Sequence, residues 1–207
     1  MPPAAPSHAA LATAKRPILF VHGYNSSASA WDTMVANFKA AGYVDAELRR
    51  WSYDYRLSNK TTAEDIRTRV DTIRAETGWD KVDVVTHSMG GLSSRYYLKN
   101  LGGSAKVDDW VSLGGPNHGT NTANYCGATS CVEMREGSSF LTALNSDDES
   151  PGAVSYATWW SPCDSVINPD SSVAVAGATN TNTACLSHSQ LRTDANVFTQ
   201  VRDTVAG

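Results

Sequence analysis

Apolar residues fall along this chain in two rhythms, short continuous runs and longer stretches with apolar positions three or four apart. Pro17 to His22 is such a run, ending at Gly23 as a strand buried on both faces does. Residues 29–41 carry Trp31, Met34, Val35 and Phe38 at helical spacing and stop at Gly42. Ala46 to Tyr53 reads as a second strand, and Thr61 to Thr77 as a helix with Ile66, Val70 and Ile73 on one side and Gly78 beyond it. Val82 to Thr86 is a strand that runs straight into His87-Ser88-Met89-Gly90-Gly91. A helix bearing Leu92, Tyr96 and Leu98 follows and stops at Gly102-Gly103. Val107 to Leu113, Ala153 to Trp160 and Ser172 to Ala176 read as further strands, and Asn196 to Val205 as the last helix. Strand and helix alternate, which predicts an α/β fold with a mostly parallel central sheet and helices on both faces.

Pro116 to Gly152 fits this alternation least well. It holds a cysteine pair, a short helix near Ser138–Leu144 and the acidic run Asp147-Asp148-Glu149, which reads as a solvated face rather than a metal site. A connection of this length is often functional, as a lid over a site for instance. No repeat or linker divides the chain, so residues 17–207 read as one domain behind a flexible N-terminal arm of residues 1–16.

Composition narrows the function. A chain of 207 residues, 41% hydrophobic and 18% charged, can bury roughly 70% of its unfolded surface without a metal or a partner. Its net charge is −4 and no basic stripe tracks a phosphate backbone, which sets nucleic acid aside as a partner. No stretch approaches the roughly 20 apolar residues of a membrane span. The start lacks the basic and apolar regions of a signal peptide, and the expectation is that an export signal was removed and Met1 added. Four cysteines allow three pairings; the local pairs Cys126–Cys131 and Cys163–Cys185 are favoured over four free thiols. The second would close a loop of 23 residues, for about 3 kcal/mol of stabilisation. Disulfides imply an oxidising compartment, hence secretion.

The chemistry centres on Thr86-His87-Ser88-Met89-Gly90. A serine hydroxyl needs access and an adjacent base, and a sharp strand-to-helix turn with small neighbours, G-x-S-x-G, supplies the access. Thr86 stands where Gly is usual and should crowd the turn. Ser88 as a mere helix N-cap is the plainer reading, and the flanking strand and glycines favour a nucleophile. The oxyanion donors would be the Met89 and Tyr24 amides, with His22 a structural residue. In such an elbow the acid and base follow the serine in chain order. Of the histidines after Ser88, His118 comes too early, which leaves His188 as base. Asp164 and Asp170 both follow the strand ending at Trp160, and Asp164 is preferred for its proximity to that end. A Cys163–Cys185 bridge would pin acid and base together. Trp159, Trp160, Tyr24 and Met89 are candidates for an acyl groove, with core packing the alternative for the tryptophans.

At Val21-His22-Gly23-Tyr24, the Ser88 elbow, Gly114-Gly115-Pro116-Asn117-His118-Gly119, Asp164 and His188, the sequence resembles the small secreted bacterial lipases of the α/β-hydrolase superfamily. The likeness spans about Pro17 to Val205. In those lipases Ala often replaces the first elbow glycine. The resemblance implies an α/β-hydrolase fold with a minimal or short lid, and a carboxylester or triacylglycerol hydrolase whose triad is Ser88, Asp164 and His188. It also implies no required cofactor, and no metal ligands are assigned. The expected protein is a monomer acting on esters or lipids, at an oil–water interface for the latter. A short-chain carboxylesterase or an acyltransferase of the same fold is the alternative.

Overall fold

The computed structural model describes residues 15–206. Six strands form one sheet: β1 (Ile18–Val21), β2 (Leu48–Arg50), β3 (Val82–His87), β4 (Val107–Leu113), β5 (Ser155–Trp160) and β6 (Thr179–Asn182). Their order is β2-β1-β3-β4-β5-β6 and every pairing is parallel. The helices are α1 (Asp32–Ala40), α2 (Asn59–Thr77), α3 (Gly90–Asn100), α4 (Thr129–Met134), α5 (Ser139–Leu144) and α6 (Ala195–Val205).

Both faces of the sheet are covered because strand side chains alternate. Ile18 and Phe20 of β1 pack with Val85, Val111 and Leu113 against α1 and α6, through Met34, Phe38, Val197 and Val201. Leu19 and Val21 point the other way, with Val82, Val84 and Trp110, onto Ile66, Val70 and Ile73 of α2 and Tyr97 of α3. A strand buried on both sides reads as an unbroken apolar run for this reason.

Two expectations shift. The second strand is only Leu48–Arg50 of the predicted Ala46–Tyr53. Ser172 to Ala176 is not a strand: Asp170–Val173 is a 3-10 turn, and the sixth strand is the polar Thr179–Asn182 at the sheet edge. Buried Val173 and Val175 carry the apolar signal there without joining the ladder.

Within Pro116 to Gly152, two short helices pack as a wall over the start of α3. Helices α4 and α5 set Cys131, Met134, Phe140, Leu141 and Leu144 against Met89 and Leu92. The Glu133 carboxylate accepts from Asn59 N at 2.7 Å and Asn59 Nδ2 at 2.9 Å, and from the Ser58 hydroxyl, so it caps the positive end of α2. Ser130 Oγ donates to Tyr55 O at 2.6 Å.

Of the arm expected over residues 1–16, only Lys15 and Arg16 lie among the described residues, and both are tied down. Lys15 N donates to Glu47 Oε1 at 2.8 Å. The Arg16 guanidinium meets Asp83, Asp108 and Asp109 at 3.2, 2.8 and 3.2 Å, a charge of the chain itself filling the place between three carboxylates. Burial raises the Asp83 carboxyl well above its ordinary range, opposed by Arg16.

Candidate active site

Ser88 sits between the end of β3 and the start of α3 with φ at 55°, in the left-handed region that a non-glycine residue enters at a cost of about 1–2 kcal/mol. Its N–H donates to Leu113 O on β4 at 2.9 Å, so the neighbouring strand holds the turn. Thr86 does not crowd it: the side chain is fully buried and Oγ1 donates to Val111 O at 2.9 Å. The threonine is spent on cross-strand bonding instead.

The loop after β1 presses against this turn. A Cβ on Gly23 would lie 2.7 Å from Ser88 Cβ and 3.3 Å from Oγ, so only glycine allows the approach. His22 is structural. Its Nδ1–H donates to Gly23 O at 2.9 Å, its Nε2 accepts from Tyr53 N at 3.4 Å, and its ring stacks on Tyr53 at 4.0 Å. Burial lowers its pKa, consistent with that neutral form. The Tyr24 ring stands edge-on to Tyr55 at 4.9 Å, and Tyr55 OH donates to Asn25 Oδ1 at 3.1 Å, which fixes the loop. Among the described residues neither the Tyr24 nor the Met89 amide donates a hydrogen bond.

His188 Nδ1 donates to Asp164 Oδ2 at 2.7 Å. The other carboxylate oxygen accepts from Val166 N at 2.8 Å and Ile167 N at 3.1 Å. Cys163 and Cys185 are disulfide-bonded beside this pair, with Cα atoms 5.0 Å apart, and Cys126 is bonded to Cys131. Ser161 adds a second tie, donating to Leu186 O at 2.7 Å and accepting from Leu186 N at 2.9 Å. Gly114, with φ at 57°, makes room: a Cβ there would stand 3.2 Å from both Asp164 Oδ2 and His188 Nδ1. The rival candidates lie elsewhere. His118 contacts Glu149 Oε1 at 2.9 Å, and Asp170 opens the 3-10 turn without a bond to His188.

One residue of the motif has a role its position did not suggest. His87 Nε2 lies 2.9 Å from the carbonyl of His188, which can only accept, so His87 is the donor and carries its proton there. The two rings meet at 4.4 Å. Burial first, then His188, holds the His87 imidazole well below its ordinary range, which keeps it neutral.

Ser88, His87 and His188 open onto one cleft of about 450 Å³. Ala123, Cys126, Cys131, Met134, Val166 and Ile167 supply much of its apolar lining, and Tyr24, Asn25, Ser26, Ser189 and Arg192 a polar share. Of the four residues expected to form an acyl groove, only Tyr24 is in it. Trp159 is 3% exposed in the core, its Nε1 bonded to Gln200 Oε1 at 2.6 Å, and Met89 packs inward against the α4–α5 wall. Trp160 lies outside the lining as well. Ser88 Oγ makes no hydrogen bond to a described residue, and in unliganded sites such bonds are often long, tightening only around substrate.

These side chains stand on loops after β1, β3, β5 and β6, at the carboxyl ends of a parallel sheet where α/β proteins place their ligands. The fold is that of the α/β-hydrolases. The family model for Lipase (class 2) matches residues 15–206, and the chain belongs to that family. The structure is similar to lipase B of Aspergillus fumigatus (TM-score 0.81, 18% identity, 93% of this chain and 53% of that one). It is also similar to the mature lipase BlEst2 of Bacillus licheniformis (TM-score 0.79, 20% identity, 92% and 91%). At these identities the likeness shows the fold alone. A 93-residue stretch is 34% identical to a putative phospholipid:diacylglycerol acyltransferase 2 of Arabidopsis thaliana, and the match spans 14% of that protein's length.

Proposed function

We propose that this chain is a secreted lipase that cleaves acylglycerols and other carboxylic esters with Ser88 as nucleophile, His188 as base and Asp164 as the acid that orients it. The observation that carries this is the part-buried Asp164–His188 bond of 2.7 Å, whose histidine lines the same cleft as the strained Ser88. A carboxylate only accepts, so it keeps the proton on His188 Nδ1 and leaves Nε2 to take the Ser88 proton. Ser88 Oγ then bonds to the acyl carbon, the Tyr24 and Met89 amides hold the oxyanion, and the C–O bond to the alcohol breaks as His188 returns the proton to it. Water, deprotonated by His188, releases the acid.

Two features support a lipid surface as the working environment. Tyr125 lines the cleft yet is 92% exposed, and Val132, beside Cys131, is also exposed. The two disulfides support an oxidising compartment. No helix among the described residues is long and apolar enough to cross a membrane.

Hydrolysis of esters of rising acyl length, each below and above its solubility limit, tests the reading. Fast cleavage of long aggregated esters is the expected result. Activity confined to short soluble esters makes the protein a carboxylesterase, and ester formation with added alcohol makes it an acyltransferase.

His87 positions the base in this account. His87→Leu leaves the His188 carbonyl without its donor, and kcat is expected to fall about tenfold with KM little changed, because an unpaired buried acceptor costs about 1–3 kcal/mol. His87→Gln, which can still donate, should recover part of the loss. A purely structural role predicts a lower melting temperature in both variants and no recovery of kcat.

A further inference from the structure

We propose that Arg192 makes this cleft selective for acyl esters whose alcohol half carries an anionic group, a glycerophosphate in particular. The inference rests on the cleft being the site of ester cleavage. Arg192 lies four residues beyond His188, at the end of the Gln190–Arg192 turn, and lines the same cleft as Ser88. Among the described residues it is the one permanently charged side chain in that lining, with no Asp or Glu beside it. Nη1 donates to Ala30 O at 2.7 Å, whereas Nε is buried and without a partner. No carboxylate lies within 4.0 Å of it among the described residues, in contrast to Arg16 and Arg50, which rest on aspartates.

A half-buried guanidinium stays protonated and is planar, with several N–H donors suited to phosphate. Without a counter-ion its demand for an anion is unmet, and a substrate phosphate would meet it with charge-assisted bonds. Burial lowers its pKa. Asn25, Ser26 and Ser189 are polar lining residues of the same cleft as Arg192, and the bond to Ala30, four residues beyond Ser26, ties Arg192 to the chain that follows β1. The apolar lining, Ala123, Cys126, Cys131, Met134, Val166 and Ile167, comes from other segments, the first of which also contributes Thr120 and Thr122. An ester has the same two halves, an apolar acyl chain and a polar alcohol. Attack by Ser88 breaks the acyl C–O bond, His188 protonates the departing glycerophosphate oxygen, and water later frees the fatty acid. The phosphate itself is unchanged throughout.

The test compares monomeric dihexanoyl phosphatidic acid, dihexanoyl phosphatidylcholine and dihexanoylglycerol as substrates for the whole chain. Wild-type KM for the phosphatidic acid is expected about tenfold below that for the phosphatidylcholine, as a charge-assisted hydrogen bond allows, with the gap shrinking as salt is added. Arg192→Gln should abolish the gap and Arg192→Lys retain part of it. A gap that survives in Arg192→Gln overturns the proposal. So does an equal loss on all three substrates, which would leave Arg192 only as the tie to Ala30. No wild-type preference for the anionic ester, with the neutral diester cleaved, overturns it while sparing the reaction. Inactivity on all three overturns the proposal, and if long aggregated esters are not cleaved either, the reaction falls with it.

Discussion

Ser88→Ala is expected to lower kcat for ester hydrolysis by about 10⁴-fold or more, with any residual rate coming from binding and oxyanion stabilisation alone. The size follows from the chemistry, since no covalent acyl-enzyme can form without the hydroxyl. The fold should survive, because Ser88 Oγ makes no hydrogen bond to a described residue and the turn is held by its backbone N–H on Leu113 O. Alanine faces the same left-handed φ of 55° that serine already occupies. An unchanged melting temperature alongside the lost rate therefore separates chemistry from unfolding. A variant retaining a tenth of wild-type kcat would place the nucleophile elsewhere.

Asp164→Asn is expected to cost about 10⁴-fold in kcat, nearly as much, for a change of one atom type. The carboxylate forces the His188 proton onto Nδ1. An asparagine amide can instead donate to Nδ1 and leave the proton on Nε2, where it blocks the approach of the Ser88 hydroxyl. The negative charge that stabilises the imidazolium is lost as well. The amide oxygen can still take the place of Oδ1, which accepts from Val166 N and Ile167 N, so the loop should keep its shape. Steady-state rates for Asp164→Asn and Asp170→Asn measured side by side settle the assignment. Asp170→Asn should stay within about threefold of wild type, since surface changes away from a site are nearly neutral; the reverse ranking would contradict the account.

The parts of this molecule that were legible in the sequence are those with a strong local rhythm. β1, β3 and β4 are apolar runs because helices cover both their faces, and the helix signals at Trp31, Ile66 and Val197 belong to residues that meet the sheet. The sixth strand was illegible for the converse reason. Thr179–Asn182 is a polar, largely exposed edge strand paired on one side only, whereas Val173 and Val175 are buried without being in a strand. The order along the chain and the places after strands put Asp164 and His188 forward as a pair, and the structure joins them by a 2.7 Å bond. The Thr86 departure was misjudged because only the fold shows Val111 O waiting for its hydroxyl. His87 and Arg192 were not legible as parts of the cleft. Each is defined by a contact between segments far apart in sequence, His87 with His188 and Arg192 with Ala30. The tryptophans misled because large aromatic residues serve cores and grooves equally well.

Labelling with a p-nitrophenyl alkylphosphonate, read by peptide mass spectrometry, tests the central claim most directly. One phosphonyl group per chain is expected, on Ser88, formed at the rate at which esterase activity disappears and much slower in Asp164→Asn. Full activity in a chain quantitatively modified at Ser88, or inactivation with the label on another residue, would contradict it.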